Sequence, residues 1–523
     1  MNILFIMCDQ LRADYLSCYG HPHIRTDNID KLASLGVRFS RAYCQAPLCG
    51  PSRASFYTGR YMSSHGVMGN GDPLKIGELT LGDYLRQIGM AAVVVGKSEG
   101  YPNRKALEIF NIDLHSEEGQ CQSNNGFYPF EAYSGLYPDS MLPDALGYVE
   151  YLRNNQLSGN NPWERWVNSA INSTGERVSG WQMHNAGLAA CVPEEHSETA
   201  FITKRAIDFL DSVDDADSWC MHLSYIKPHW PYLAPDPYHN LYNVRHVLPA
   251  IRHNGEKKDP HPVYNAFMLE GYSQNFSKEE VRSKVIPTYM GLIHQVDDYI
   301  GQVIGCLESK DWLKDTIIVF TSDHGDYLGD HWLGEKDLFH DASVRIPLII
   351  YDPSEAANDS RGKIVEDLVQ AIDVCPTLLE AVGADPVIER LEGRSLLPLI
   401  RNEGDSLATR EAVISEINFS SRGPRLRLRL NPQDCRAYMV QTNEWKYIFY
   451  RNFPPQLFDL QNDPNEFFDR GTDPRYDKVR QTFHDYLFDW MGSLKARTEV
   501  PFTDTYDSTP ALTEELGIMI GHW

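Results

Sequence analysis

Asn2-Ile-Leu-Phe-Ile-Met-Cys-Asp9-Gln10 is a continuous apolar run that stops at two polar residues. A run of this length without alternation marks a strand buried on both faces, as in the middle of a parallel sheet. The same form recurs at Ala91–Val95, which leads into Gly96-Lys97, and at Thr316–Phe320, which leads into Ser322-Asp323-His324-Gly325. Trp219–Tyr225 reads as a further strand. Amphipathic stretches of helical length lie between them: Asp27–Leu35 with Asp27 as its cap, Thr80–Ile88 closing at Gly89, Ser197–Val213 and Lys284–Leu307. Strands and helices in alternation predict an α/β fold built on a large, mostly parallel sheet sandwiched by helices.

The pattern changes near residue 400. Ala437–Gln441, Lys446–Tyr450 and Gln456–Asp459 are short strand-like pieces at hairpin separations, and Tyr476–Met491 is one helix. The expected organisation is a main α/β domain over 1–405, a smaller α+β domain over 406–495 and a tail over 496–523 that contacts this subunit or a neighbour. Residues 114–190, rich in Asn, Gly, Ser and Tyr, read as a surface insertion of the kind that lines substrate sites.

With 523 residues the chain has ample length to bury a core. Hydrophobic residues at 42% and charged residues at 23% are ordinary for a globular protein. A mean hydropathy of −0.41, with no apolar run approaching a bilayer's thickness, argues against a membrane-spanning helix. A formal charge of −24 argues against a nucleic-acid partner, which needs a basic surface. It leaves room for a small anionic substrate where a few cations converge. The ten cysteines are scattered without a CxxC pair, and Met1 is followed by no basic leader, so a cytoplasmic location is expected.

In an open parallel sheet, ligands collect beyond the carboxyl ends of the strands. Here those ends carry Asp9-Gln10, Lys97 and Asp323-His324. Two carboxylates, an amide oxygen and an imidazole form a set for a divalent cation. One Asp-His pair alone reads more readily as a helix cap beside a packed histidine; two acidic strand ends in like context turn the balance towards the metal. Leu48-Cys49-Gly50-Pro51-Ser52-Arg53 reads as a helix entered through Pro51. Cys49 then sits at the positive end of the helix dipole with Arg53 one turn on, a place for a nucleophile that attacks an anion. A thiolate pairs badly with a hard cation, so the motif makes most sense if residue 49 carries oxygen at its tip.

Cys49-x-Pro51-x-Arg53 is the signature read by formylglycine-generating enzymes, and the chain resembles the type I sulfatases of the alkaline phosphatase superfamily. The further segments that carry the resemblance are Asp9-Gln10, Thr26–Leu32, Ser55–Gly59, Lys227-Pro-His229-Trp-Pro, Thr321–Gly325 and Gly334-Glu-Lys336. Arg345-Ile-Pro347, Gly393–Pro398, Leu457–Leu460 and Asp463-Pro-Asn-Glu466 follow in order. The likeness spans nearly the whole chain except 114–190. Asp-Gln at the first strand, Asp323-His324 and the Asp434-Cys435 stretch resemble the branch of phosphonate monoester hydrolases and cytoplasmic sulfatases.

The resemblance implies an alkaline-phosphatase-like fold and a residue-by-residue set of roles. Cys49 would be matured to formylglycine by a formylglycine-generating enzyme, and its hydrate would attack sulfur or phosphorus to form a covalent ester. Asp9, Gln10, Asp323, His324 and residue 49 would hold one divalent cation, with Mn²⁺ ranked before Ca²⁺ because a histidine ligand suits it better. Arg53 would orient the nucleophile, Lys97 and Lys336 would neutralise the non-bridging oxygens, and His229 would serve the leaving group. Asn70 would contact a substrate oxygen. A homodimer or homotetramer is expected on the same ground.

One position departs from the family. Most sulfatases carry Gly-Lys-x-His at the second strand, and phosphonate monoester hydrolases have a tyrosine and a threonine in place of the lysine and histidine; this chain reads Gly96-Lys97-Ser98-Glu99. Keeping Lys97 favours sulfate ester hydrolysis, on aryl or small alkyl sulfates, over phosphonate monoester or phosphodiester hydrolysis. Glu99 would act as a base in the elimination step or repel dianionic phosphate monoesters. A non-catalytic relative is disfavoured by the intact Cys49, Pro51 and Arg53. A two-metal phosphatase or phosphomutase is disfavoured by the single visible metal set.

Overall fold

The computed structural model describes residues 1–143, 146–402 and 410–495. Its main sheet has nine strands: β1 (Asn2–Asp9), β2 (Val37–Tyr43), β3 (Ala91–Gly96), β4 (Tyr128–Ala132), β7 (Trp219–Pro228), β8 (Thr316–Ser322), β9 (Arg345–Tyr351), β10 (Ile364–Val365) and β11 (Val369–Gln370). A small hairpin of β5 (Ser169–Ile171) and β6 (Arg177–Ser179) stands apart. The order is β10-β2-β9-β8-β1-β7-β3-β4, with β11 also on β2. Strands β8, β1, β7, β3 and β4 are mutually parallel, and β9 runs antiparallel to both neighbours.

The unbroken apolar runs are explained by a sheet covered on both faces. Ile3, Phe5 and Met7 enter one core, and Leu4, Ile6 and Cys8 enter the other. The first core is closed by Phe56 and Tyr57 of the helix Cys49–Thr58 and by Leu378 and Leu379 of the helix Val374–Ala381. The second is closed by Ile29 and Leu32 of the helix Asp27–Leu35, Phe201 of Glu198–Ser212, and Tyr289 of Glu279–Ser309. The helix Asp27–Leu35 starts after Thr26, not at an Asp27 cap: Asp27 lies inside the first turn, where its charge favours the dipole, and Thr26 makes no capping hydrogen bond. Thr80, by contrast, forms a full capping box with Asp83 ahead of the helix Leu81–Gln87.

A second, antiparallel sheet has the order β12 (Val413–Asn418), β13 (Arg436–Gln441), β14 (Trp445–Tyr450), β15 (Gln456–Asp459). Strand β12 was not foreseen from the sequence. Ala437, Met439, Ile448 and Tyr450 join the first core of the main sheet, while Tyr438, Val440 and Tyr447 pack against Phe483, Leu487 and Trp490 of the helix Asp477–Ser493. The small sheet therefore shares a core with the large one. The expected boundary at 405/406 and the tail 496–523 lie outside the described residues. Residues 114–190 are more than a surface loop, because they supply β4, an edge strand of the main sheet, and the buried Trp163. No helix among the described residues is long and apolar enough to cross a membrane.

Candidate active site

Four adjacent parallel strands end on the same edge of the sheet, and this alone gathers most of the predicted residues. β8 delivers Asp323 and His324, β1 delivers Asp9 and Gln10, β7 delivers Lys227 and His229, and β3 delivers Lys97 and Glu99. Gly96 is required at the end of β3: its φ is +108°, and a Cβ there would lie 2.0 Å from the Ser224 carbonyl oxygen. The helix Cys49–Thr58 points its N-terminus at this edge with Cys49 as its first residue. Leu48 has no side chain to cap that helix, and Asn70 substitutes for it, accepting from the Gly50 N–H at 2.8 Å.

The ligand atoms of Asp9, Cys49, Asp323 and His324 lie within 4.8 Å of one another, all fully buried. His324 Nδ1 is 2.9 Å from the Gly325 carbonyl and donates to it, which leaves the Nε2 lone pair facing the cluster, 3.2 Å from Cys49 Sγ and 3.8 Å from Asp9 Oδ1. Two carboxylates buried together need compensating positive charge. These side chains fit a divalent cation. Burial pushes the Asp9 carboxyl up, but the charges of Lys97 and Arg53 around it hold it well below the usual carboxylate range. Arg53 is completely buried and donates through Nε to Asp323 Oδ2 at 2.8 Å and through Nη1 to the Lys97 carbonyl and Ser224 Oγ. Its Nη2 lies 3.6 Å from Asp9 Oδ2 and has no hydrogen-bond partner among the described residues.

Lys97 Nζ sits between Asp9 Oδ2 at 2.5 Å and Glu99 Oε1 at 2.8 Å. Lys336 Nζ donates to Gln10 Oε1 at 2.9 Å and to Cys49 Sγ at 3.3 Å. Three of the expected metal ligands thus face a lysine: Asp9 faces Lys97, and Gln10 and Cys49 face Lys336. Burial, helped by Asp9, pushes the Cys49 thiol up to about 11 although Lys336 and Lys97 oppose it. His229 donates from Nδ1 to the Trp230 carbonyl at 2.7 Å; burial holds its pKa well below the ordinary range, with Asp9 pulling the other way.

Of these groups, Cys49, Lys97, Glu99, His229 and Lys336 form the floor of a cavity of about 490 Å³. Its walls include Tyr101, Leu136, Met141, Trp181 and Met183 from the 101–190 region, with Trp230, Tyr272 and Arg422. Trp181 packs on Trp230, which packs on His229, so an aromatic wall runs outward from the imidazole. Arg422 is paired with Asp337 at 2.8 Å and belongs to the loop after β12. Sequence reasoning missed Arg422, Ser224, Lys227 and the Trp181 wall. Lys227 carried a signal, since it stands two residues before His229, and it pairs at 3.3 Å with Glu198 under the loop that holds that histidine. Gln10, Glu99, Glu335 and Asp337 all have φ between +53° and +89° without being glycine, a local strain typical of functional sites and invisible in sequence.

A sulfatase family model matches residues 1–384, and a model described as "N-sulphoglucosamine sulphohydrolase, C-terminal" matches 329–491. The chain is 30% identical over 519 residues to a multifunctional alkaline phosphatase superfamily protein, PehA, of Trinickia caryophylli, covering 95% of this chain and 96% of that one. It is 27% identical to an arylsulfatase of Clostridium perfringens, with 89% of each chain covered. A crystal structure of the phosphonate monoester hydrolase of Agrobacterium radiobacter superposes with a TM-score of 0.80 at 26% identity, covering 94% of this chain and 96% of that one. The strand-end carboxylates, the cysteine at the helix start and a match that begins at residue 1 and runs through the whole sheet lead to one conclusion: the chain is a hydrolase that belongs to the sulfatase family of the alkaline phosphatase superfamily.

Proposed function

We propose that the protein hydrolyses sulfate monoesters of aryl or small alkyl alcohols through a formylglycine derived from Cys49. The observation that carries this reading is the position of Cys49: first residue of its helix, within reach of His324 Nε2, Lys336 Nζ and Asp9 Oδ1, on the floor of the cavity. A thiol held protonated by burial is a poor nucleophile, and its neighbours are those that a negatively charged oxygen would want. A divalent cation on Asp9, Gln10, Asp323, His324 and residue 49 would supply Lewis-acid activation, and formylglycine would supply the attacking oxygen. The nitrogen donor of His324 favours Mn²⁺ over Ca²⁺.

The remaining work falls to the chain's own residues. Arg53 fixes the two carboxylates and turns Nη2 towards the nucleophile's side of the site. Lys97 and Lys336 meet the non-bridging oxygens, and Asn70, whose carbonyl is taken by Gly50, offers its NH₂. His229 is neutral in the free protein; a bound anionic ester raises its pKa, so a proton taken up with substrate passes from Nε2 to the leaving oxygen. The aromatic wall beyond His229 then receives the alcohol.

The pairing of Lys97, rather than its presence, allows a second reading, phosphonate monoester or phosphodiester hydrolysis with the same nucleophile. The lysine charge is already shared between Asp9 and Glu99, which suits any transferring group bearing a single negative charge. Mass spectrometry of the Cys49 tryptic peptide, on protein made with a formylglycine-generating enzyme, tests the nucleophile. A loss of about 18 Da, the difference between a thiol and an aldehyde side chain, is expected. Unmodified cysteine in a fully active enzyme would overturn it. Rates on 4-nitrophenyl sulfate against a phosphodiester analogue separate the two substrate readings.

A further inference from the structure

Beyond its place in the implied metal set, Gln10 is held by contacts of its own. Its φ of +63° is a left-handed conformation, which a residue with a side chain adopts only at a cost. Its N–H donates to Asp323 Oδ1 at 3.0 Å, and its carbonyl accepts from the Tyr289 hydroxyl at 2.8 Å. The backbone is thus fixed on both sides, and only the side-chain amide retains a choice. Oxygen and NH₂ are nearly the same size, so sterics do not select between the two flips; the partners do.

One end of the amide lies 2.9 Å from Lys336 Nζ, which can only donate. The other end lies 2.5 Å from Asp326 Oδ2. Asp326 is completely buried and receives two further donors, the Tyr232 hydroxyl on Oδ2 and the Leu328 N–H on Oδ1, each at 2.9 Å. Both its oxygens are acceptors, so both ends of the amide demand the same flip.

We propose that Asp326 is a positioning residue that locks the Gln10 amide with its oxygen towards Lys336, and so holds the Lys336 ammonium against the nucleophile position. The ammonium stands 3.3 Å from Cys49 Sγ, the atom that occupies this position here. Only the activity assay below rests on the proposed function.

The substitution Asp326→Asn preserves shape but leaves one acceptor oxygen and one NH₂. If the oxygen serves the Leu328 N–H, the new NH₂ confronts the Gln10 NH₂; the backbone N–H cannot turn away, so Gln10 flips and presents its NH₂ to the Lys336 ammonium. Adding Gln10→Glu supplies an acceptor to both sides again and leaves the net charge of the site unchanged.

Wild type, each single variant and the double variant are compared by thermal unfolding midpoint and by kcat/KM on 4-nitrophenyl sulfate. Asp326→Asn is expected to lower kcat/KM about 10–100-fold, the usual loss when a partner that orients a site ligand is removed. The double variant is expected to regain at least about tenfold of that loss and to unfold at a higher temperature than either single variant. Effects that simply add, or a double variant no better than Asp326→Asn alone, would overturn the proposal. Should the wild type hydrolyse no ester, the proposed function fails, while the cycle in unfolding midpoints still decides the role of Asp326.

Discussion

Arg53 Nε lies 2.8 Å from Asp323 Oδ2, and neither side chain has any exposed surface. An ion pair closed off from water in this way is costly to break from one side, because the surviving charge has no solvent to turn to. The guanidinium also reaches the Lys97 carbonyl and Ser224 Oγ, so it ties the ends of β8, β3 and β7 together. Arg53→Met is expected to lower the unfolding free energy of chelator-treated protein by about 3–5 kcal/mol. Urea denaturation measures this, and a loss below about 1 kcal/mol would mean that the carboxylates find other partners.

Glu99 stands 2.8 Å from Lys97 Nζ and accepts from the Tyr101 hydroxyl at 3.0 Å. Its carboxylate therefore adds a negative charge beside Lys97, where the proposed function places the transferring group. Glu99→Gln is expected to raise turnover of a phosphate monoester, a dianion, by about tenfold relative to a sulfate ester, which corresponds to ~1.4 kcal/mol of relieved repulsion. The ratio of the two rates on 4-nitrophenyl esters is the measurement. An unchanged ratio would show that Glu99 does not read substrate charge.

In the proposed mechanism, His229 serves the leaving group only if the alcohol needs a proton. His229→Ala is expected to slow an alkyl sulfate by about 10²–10⁴-fold, the range of general-acid help, and 4-nitrophenyl sulfate much less. Equal losses on both substrates, in the same steady-state assay, would instead give His229 a binding role.

His222 is buried between the Phe5 carbonyl and the Tyr57 hydroxyl, and burial, helped by the charge of Arg53, pushes its pKa down to about 3. The unfolded chain binds a proton here below about pH 6.5 while the folded chain does not, so stability falls as pH drops from there towards 3. At pH 5 this amounts to about 2 kcal/mol. His222→Gln is expected to shrink the stability difference between pH 7.5 and pH 5 by that amount. His65, pushed down to about 3 by its own burial, continues to contribute in the variant. Urea midpoints at the two pH values provide the check.

The strands were legible because burial on both faces leaves an uninterrupted apolar run, and their ends were legible because polar and charged residues close each run. Asp9, Lys97, Asp323 and His324 are the residues at those stops. Strand β12 was not, since Ser415 and Glu416 interrupt it; both are buried, Glu416 taking hydrogen bonds from Ser63 and Ser415 bonding the Cys44 carbonyl. β4 was hidden in a polar stretch because an edge strand needs only one paired side.

The sequence by itself determined the family, the sheet and the inventory of the site: the cysteine motif, the strand-end carboxylates, the two lysines and His229. Local pattern suffices for these, because each is written within a few residues of a strand end or helix start. Only the tertiary structure decided how the inventory is wired. That Glu99 divides Lys97 with Asp9, that Asn70 caps the helix of Cys49, that Arg422 reaches the cavity from beyond β12 and that Asp326 dictates the Gln10 amide are contacts between distant or oppositely turned segments. They depend on side-chain direction and on left-handed backbone at Gln10 and Glu99. Hydrogen bonds and ion pairs act over about 3–4 Å, so which of them form is settled only when packing has fixed the atoms to that tolerance.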